Sequence, residues 1–236
     1  MAFNYSPKIV TDGLVLYLDA SNPRSYASGS TSWLDLSRGE NNGSLVNGPT
    51  FNSANGGSIV FDGTNDYIDI AALANVHYTS SLTLESWVLL TGAGVGGGYR
   101  GIVGKGLTDA DEEYCLSVST GANKIYMDIG GSGGPYIDAT YISSLNTTYH
   151  IVGTHVRAAG RSTLTIYVNG NFISNTTAGS TQALNSNSYN TVIGSRFSTG
   201  SQSWPGYIHN VKIYNRALSA QEVTQNYNAL KGRYGL

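Results

Sequence analysis

The chain has 236 residues, with 13 Lys and Arg against 15 Asp and Glu, a formal net charge of -2, and only 12% charged residues. That balance excludes a nucleic-acid binder that works by neutralising phosphates, and the 40% hydrophobic and 11% aromatic content excludes a disordered chain. Thirty glycines among many Ser, Thr and Asn exclude a helical bundle and leave a β protein with many turns, long enough to bury a core without disulfides.

The first residues, Met1 to Pro7, carry no basic segment and no apolar run, so no secretory signal of the standard kind is expected. No apolar stretch anywhere reaches the length of a membrane span. The strands then follow in order. Leu14 to Leu18 comes after the turn signal Asp12-Gly13. Ser58 to Phe61, the turn Asp62-Gly63, and Tyr67 to Ile70 read as a hairpin. Leu82 to Leu90 is a longer strand, followed by Ile102-Val103, Tyr114 to Val118 and Lys124 to Ile129. Cys115, the one cysteine, lies in an apolar run and reads as a buried structural thiol. Two glycine-rich stretches, Gly92 to Gly98 and Gly130 to Gly134, read as mobile loops.

Tyr149 to Val156 and Leu164 to Val168 lead to Asn169-Gly170, the strongest hairpin signal in the chain, since both residues accept the positive φ of a type I′ turn. Phe172-Ile173, Thr191 to Gly194 and Gly206 to Tyr214 complete the series. About a dozen strands at this spacing predict an all-β, two-sheet antiparallel jelly-roll sandwich, a single domain over residues 1–236. One helix is expected at about residues 219–231. Ser219 and Glu222 form a capping box, Leu218 and Val223 flank it as a staple, and Val223, Tyr227 and Leu230 make one apolar stripe.

Four motifs in order carry a family resemblance. Gly57 to Ile68 contains Phe61-Asp-Gly-Thr-Asn-Asp-Tyr67, and Leu82 to Val88 contains Thr83-Leu-Glu-Ser-Trp87. His150-Ile-Val-Gly-Thr154 is followed by Ile166-Tyr-Val-Asn-Gly170, and Gly206 to Ser219 closes the set. Over residues 57–223 this resembles laminin-G-like domains of the concanavalin A-like lectin/glucanase superfamily. The segments Gly13 to Ala20 and Trp33 to Ser37 resemble stand-alone members found as virion structural proteins of tailed phages, of the cyanophage type. The resemblance implies a curved jelly roll whose work is binding, and in many members a calcium ion. It also implies a virion location, as capsid decoration or tail- or fibre-associated protein made in the host cytoplasm. The partners would be other virion proteins, a second copy of the chain, or cell-surface glycans, with no role for nucleic acid or membrane.

Catalysis is not expected. A retaining glycosidase needs two carboxylates about 5 Å apart, and Glu85 is alone on its strand. The acids Asp109, Asp111, Glu112 and Glu113 read as a solvated loop, with metal binding or catalysis as the alternatives. His150 and His155 read as structural. The calcium candidates are Asp62, Asn65 and Asp66, hard oxygen donors in one tight turn; the plainer alternative is that they satisfy turn amides. His209 stands where relatives often carry Asp, which argues against a family-type site. Glycan or partner contacts are expected at Tyr99 with Arg100, at Tyr136 and Tyr141, and at Phe197 and Trp204. The alternative readings of the whole chain are a calcium-dependent carbohydrate-binding module and a relative of glycoside hydrolases.

Overall fold

The computed structural model describes residues 7–54, 56–73, 76, 81–94, 98–119, 124–140, 144–179 and 187–236. Its strands are β1 (Leu14–Asp19), β2 (Ser32–Trp33), β3 (Gly43–Val46), β4 (Thr50–Asn52), β5 (Ser58–Asp62), β6 (Tyr67–Ile70), β7 (Leu82–Leu90) and β8 (Tyr99–Lys105). They continue with β9 (Tyr114–Ser119), β10 (Lys124–Ile129), β11 (Tyr136–Thr140), β12 (Thr148–Ala158), β13 (Arg161–Val168), β14 (Asn171–Gly179), β15 (Thr191–Ile193) and β16 (Pro205–Tyr214). Helix α1 (Ala220–Leu230) runs into a 3-10 turn, Lys231–Tyr234.

The strands pair into two antiparallel sheets. Sheet A has the order β14-β13-β12-β7-β16-β5-β4, with β1 also on β16; sheet B has the order β11-β10-β9-β8-β15-β6-β3-β2. The two-sheet sandwich expected from the sequence is therefore present. Its core lies between the sheets and follows the two-residue alternation of the strands. Leu82, Leu84, Val88 and Leu90 of β7 meet Leu116 and Val118 of β9 and Ile125, Met127 and Ile129 of β10 in one buried cluster. On β16 the alternation breaks between Ile208 and Asn210. A bulge at His209 lets both Ile208 and Val211 reach the core.

The expected hairpin across Asp62-Gly63 is not one. β5 pairs with β4 and β16 in sheet A, whereas β6 pairs with β3 and β15 in sheet B. The turn is an arch that carries the chain from one layer to the other. The local signal for reversal is the same in both cases, and only the choice of partners distinguishes them. Asn169-Gly170 does close a hairpin: Val168 faces Asn171, and φ is 50° at Asn169 and 77° at Gly170.

The closing helix forms as its sequence dictates. Ser219 Oγ accepts the Glu222 amide, and the Glu222 carboxylate accepts the Ser219 amide. Val223 and Leu218 are buried with Val10, Val152, Tyr167 and Tyr214, in a second cluster apart from the sandwich core. The buried face of α1 also includes Asn226, which the apolar stripe did not mark.

Candidate functional site

Two polar constellations stand on outward faces of the sheets. The first lies beneath α1 on sheet A. Glu85 and Trp87 of β7, His150 of β12, and Asn210 and Lys212 of β16 are all buried there. Lys212 Nζ donates to Glu85 Oε1 at 2.8 Å and to Asn210 Oδ1 at 3.1 Å. Asn226 of α1 donates to Glu85 Oε2 at 2.6 Å and accepts from the Val10 amide at 2.7 Å. His150 Nε2 lies 3.1 Å from Glu85 Oε1. Burial alone would raise the Glu85 carboxyl, but Lys212 and His150 prevail and hold it at about 2. Burial pushes the His150 imidazole down, against the pull of Glu85. Trp87 is buried, and its ring, His150 and Tyr227 are mutually packed, at centroid distances of 4.9 Å (Trp87–His150), 5.6 Å (Trp87–Tyr227) and 5.8 Å (His150–Tyr227). The set is closed to solvent, and both Glu85 oxygens are paired, while Trp87 Nε1 and His150 Nδ1 have no hydrogen-bond partner. It is a docking surface for the protein's own helix, which agrees with the structural reading of His150.

The second constellation is open. In sheet B the register places Gly104 opposite Cys115, Cys115 opposite Asp128, and Asp128 opposite Tyr136. The row therefore runs across β8, β9, β10 and β11 on one face. Its middle is low, because Gly104 has no side chain and Cys115 is small. The segment after β15 exploits this: a Cβ on Gly101 would lie 2.0 Å from the Arg196 nitrogen, and one on Gly104 would lie 1.9 Å from the Arg196 carbonyl. Only glycine at both positions lets residues 195–197 lie flat on β8.

Arg196 is thereby laid onto the face. Its Nε and Nη2 donate to the two Glu112 oxygens at 2.9 and 2.8 Å, and Nη2 also meets Asp109 Oδ1 at 2.7 Å. The guanidinium lies over Tyr99, at 4.9 Å from the ring centroid, and over Phe197 at 5.0 Å. Tyr99 packs on Tyr126 at 4.9 Å, and Tyr126 on Tyr136 at 5.7 Å, so three tyrosines from three strands stand side by side. The Tyr126 hydroxyl donates to Asp128 Oδ2 at 3.0 Å. Asp128 Oδ1 has no hydrogen-bond partner, and neither has the Gln202 Oε1 atom. Burial, then the Glu112 charge, push the Asp128 carboxyl up to about 7, while Tyr126 and Arg196 pull the other way.

These residues surround a cleft of about 540 Å³, lined by Tyr99, Tyr126, Tyr136, Asp109, Asp128, Arg196, Gln202 and Ser132 with Gly98, Gly131, Gly133 and Gly134. The glycine-rich wall is tied down. Gly130 N donates to Glu113 O, Ser132 N to Asp109 O and Gly134 N to Gly131 O. It is a hydrogen-bonded turn rather than the free loop that its composition predicts.

The cleft gathers two of the sequence candidates, Tyr99 and Tyr136. The others lie elsewhere. Trp204 is fully buried in the sandwich core and can touch no ligand. Phe197 is buried under Arg196. Arg100 points away from the cleft and is buried, donating to the carbonyls of Ala93 and Tyr99. Alternation explains the last case, because neighbours on a strand face opposite ways. Tyr141 lies outside the described residues. The acidic loop also departs from expectation: Asp109 is exposed, but Glu112 and Glu113 are fully buried, Glu112 on Arg196 and Glu113 on Lys105 at 2.6 Å. Tyr126, Asp128, Arg196 and Gln202 were missed. The outward alternation of Tyr126 with Asp128 was the one signal that could have found two of them.

At the arch, the calcium candidates act as turn acceptors. Asp62 Oδ1 accepts the Thr64 amide at 2.7 Å, Asp66 Oδ2 accepts the Asp62 amide at 3.1 Å, and the Asn65 carbonyl accepts from Asn47 at 2.9 Å. Among the described residues no group of three His, Cys, Asp or Glu side chains is placed to hold a metal ion. His209 is buried, with Nδ1 2.9 Å from the Gly57 carbonyl. The Asp62 and Asp66 carboxylates are thus engaged in the turn's own hydrogen bonds.

A laminin-G-type family profile, described as the concanavalin A-like lectin/glucanases superfamily, matches residues 62–224. No curated protein matches the sequence. Solved structures do match. Trypanosoma rangeli sialidase bound to the inhibitor DANA is 19% identical with a TM-score of 0.61, over 93% of this chain and 33% of that one. The binding domain of Paraclostridial Mosquitocidal Protein 1 is 19% identical with a TM-score of 0.65, over 92% of this chain and 52% of that one. The botulinum neurotoxin serotype D binding domain is 13% identical with a TM-score of 0.66, over 92% and 52%. The chain thus spans a third to a half of these proteins, and at such identities the likeness shows the fold. The virion role expected from the N-terminal segments has no counterpart in these matches.

Proposed function

Since the chain belongs to the concanavalin A-like lectin/glucanase superfamily, we propose that it is a lectin-like, non-catalytic binding domain that takes glycans in the sheet B cleft. The observation that carries this reading is the tyrosine row. Tyr99, Tyr126 and Tyr136 stand side by side, and the outermost ring, Tyr136, is 59% exposed although it sits in a strand. A sugar ring has apolar C–H faces and a polar rim. Aromatic faces cover the first while fixed polar groups orient the second. Here the polar groups are Asp128, Gln202, Arg196 and Ser132.

A glycan array followed by titration calorimetry tests this. Tyr136→Ala is expected to weaken binding by roughly tenfold or more, as loss of a central aromatic contact does, with the melting temperature unchanged. An array that stays blank sinks the proposal.

A hydrolytic reading draws on one observation, the Asp128 carboxyl held at about 7, where it could act as a general acid. It needs a second, ionised carboxylate facing the same bond. Glu112 is engaged on both oxygens by Arg196, which removes the nearest buried candidate. Release of reducing ends from the glycans that bind, abolished by Asp128→Asn, would establish hydrolysis in place of binding alone.

A further inference from the structure

We infer that the cleft selects glycans without acidic groups, taking ligand hydroxyls on the Asp128 and Gln202 side-chain oxygens. This rests on the binding role proposed above and names the ligand class of the same site.

Among the described residues, the buried side-chain atoms on the cleft wall that lack a partner are both acceptors. Asp128 Oδ1 and Gln202 Oε1 are buried atoms with no hydrogen-bond partner. The neighbouring Ile129 amide donates to the Pro135 carbonyl at 3.1 Å and gives the Asp128 carboxyl only a shared contact. A buried acceptor without a donor is unfavourable, so what completes the site is a ligand that donates. Hydroxyl groups donate. Carboxylates and sulfates at neutral pH only accept.

Charge points the same way. Two carboxylates, Asp109 and Asp128, line the cleft with one guanidinium, and a third, Glu112, lies buried against that guanidinium. Arg196 is the residue that would ordinarily receive an anionic sugar, but both Glu112 oxygens and Asp109 already balance it. An incoming carboxylate therefore meets net negative potential in a partly desolvated site, where like charges repel more strongly than in water. Gln202 is held there at a φ of 57°, a conformation non-glycine residues rarely adopt. Its backbone is fixed by the Gly101 amide, which donates to its carbonyl at 2.9 Å. The Tyr136 side chain, opposite Asp128 and more than half exposed, flanks these acceptors.

The experiment compares neutral oligosaccharides with counterparts on the same backbone bearing a uronate, a sulfate or a terminal sialic acid, by calorimetry at pH 8. Neutral members are expected to bind at least tenfold tighter than their acidic counterparts. Asp128→Asn keeps the shape and removes one negative charge, so it should narrow that ratio several-fold, whereas Tyr136→Ala should weaken both series alike. Circular dichroism confirms that each variant is folded, and Gln202→Ala, expected to lose neutral binding, provides a second route if Asp128→Asn is not. Acidic glycans that bind as well as neutral ones, with sensitivity to Tyr136→Ala, overturn the ligand class and leave the binding role intact. Binding by neither series overturns both.

Discussion

At the scale of single residues the cleft is a problem in charge placement. Asp128 sits between Cys115 on β9 and Tyr136 on β11, with Glu112, Arg196 and Tyr126 around it. Its carboxyl is raised from the usual range to about 7. The folded protein therefore holds this proton more tightly than the unfolded chain does. The stabilisation that results is complete below about pH 4 and is lost as pH rises through about 7. Asp128→Asn should remove this component, so melting temperatures of the variant should fall less than those of the parent between pH 4 and pH 8. Equal slopes for the two proteins would show that Asp128 titrates normally. A ligand hydroxyl bonded to the ionised carboxylate shifts the same equilibrium the other way, so affinity should rise with pH across neutrality. The fully buried Cys115 thiol is pushed up, first by burial and then by Glu112, so it is unreactive at this spot despite lying under an arginine.

At the scale of elements, the site depends on a crossing. β15 is three residues long, and the chain after it must pass over β8 to reach β16. Gly101 and Gly104 let it lie against the sheet, with Arg196 delivered to Glu112 as a consequence. Gly104→Ala puts a methyl 1.9 Å from the Arg196 carbonyl, which backbone must move to relieve. A destabilisation of about 1–3 kcal/mol is expected, the range for overpacking. Urea denaturation measures it, and glycan affinity should fall with it because the Arg196–Glu112 pair shifts. Stability and affinity both like the parent's would mean the crossing segment is not seated on β8. The helix illustrates the opposite case. The capping box at Ser219 and Glu222 needs only adjacent residues, and it forms as the sequence predicts, further anchored by Arg216 on the Glu222 carboxylate at 2.6 Å.

At the scale of the whole molecule, two faces do two jobs. The inner faces of both sheets make the core. The outer face of sheet A is sealed by α1 through Glu85, Lys212 and Asn226, contributed by three separate elements. The outer face of sheet B is left with the cleft. The seal is a buried ion pair, and breaking one side of it strands the other. Lys212→Met should destabilise the protein by about 3–5 kcal/mol, the range for an orphaned buried charge, while glycan affinity, on the opposite sheet, stays within twofold. Urea titration beside calorimetry separates the two. With Lys212 present, Glu85 is held at about 2, so its share of stability is present above the ordinary carboxylate range and is lost only as pH falls from about 4.5 toward 2.

The sequence by itself determined whatever is written within a few residues. Apolar runs between turn signals marked the long strands β7, β10, β12 and β16. Asn169-Gly170 marked its hairpin, and Ser219 with Glu222 marked its helix. Short strands such as β2, β3 and β4 escaped, because two to four residues rich in Ser, Gly and Asn carry little periodic signal. Pairing between distant segments was decided only by the tertiary structure. The Asp62-Gly63 turn is an arch because β5 and β6 find different sheets. Glu112 is buried because Arg196, 84 residues away, is laid over it by a crossing that two glycines permit. A charge is solvated or buried according to its neighbours in space, and those neighbours are chosen by the packing of the sheets, which no local pattern records.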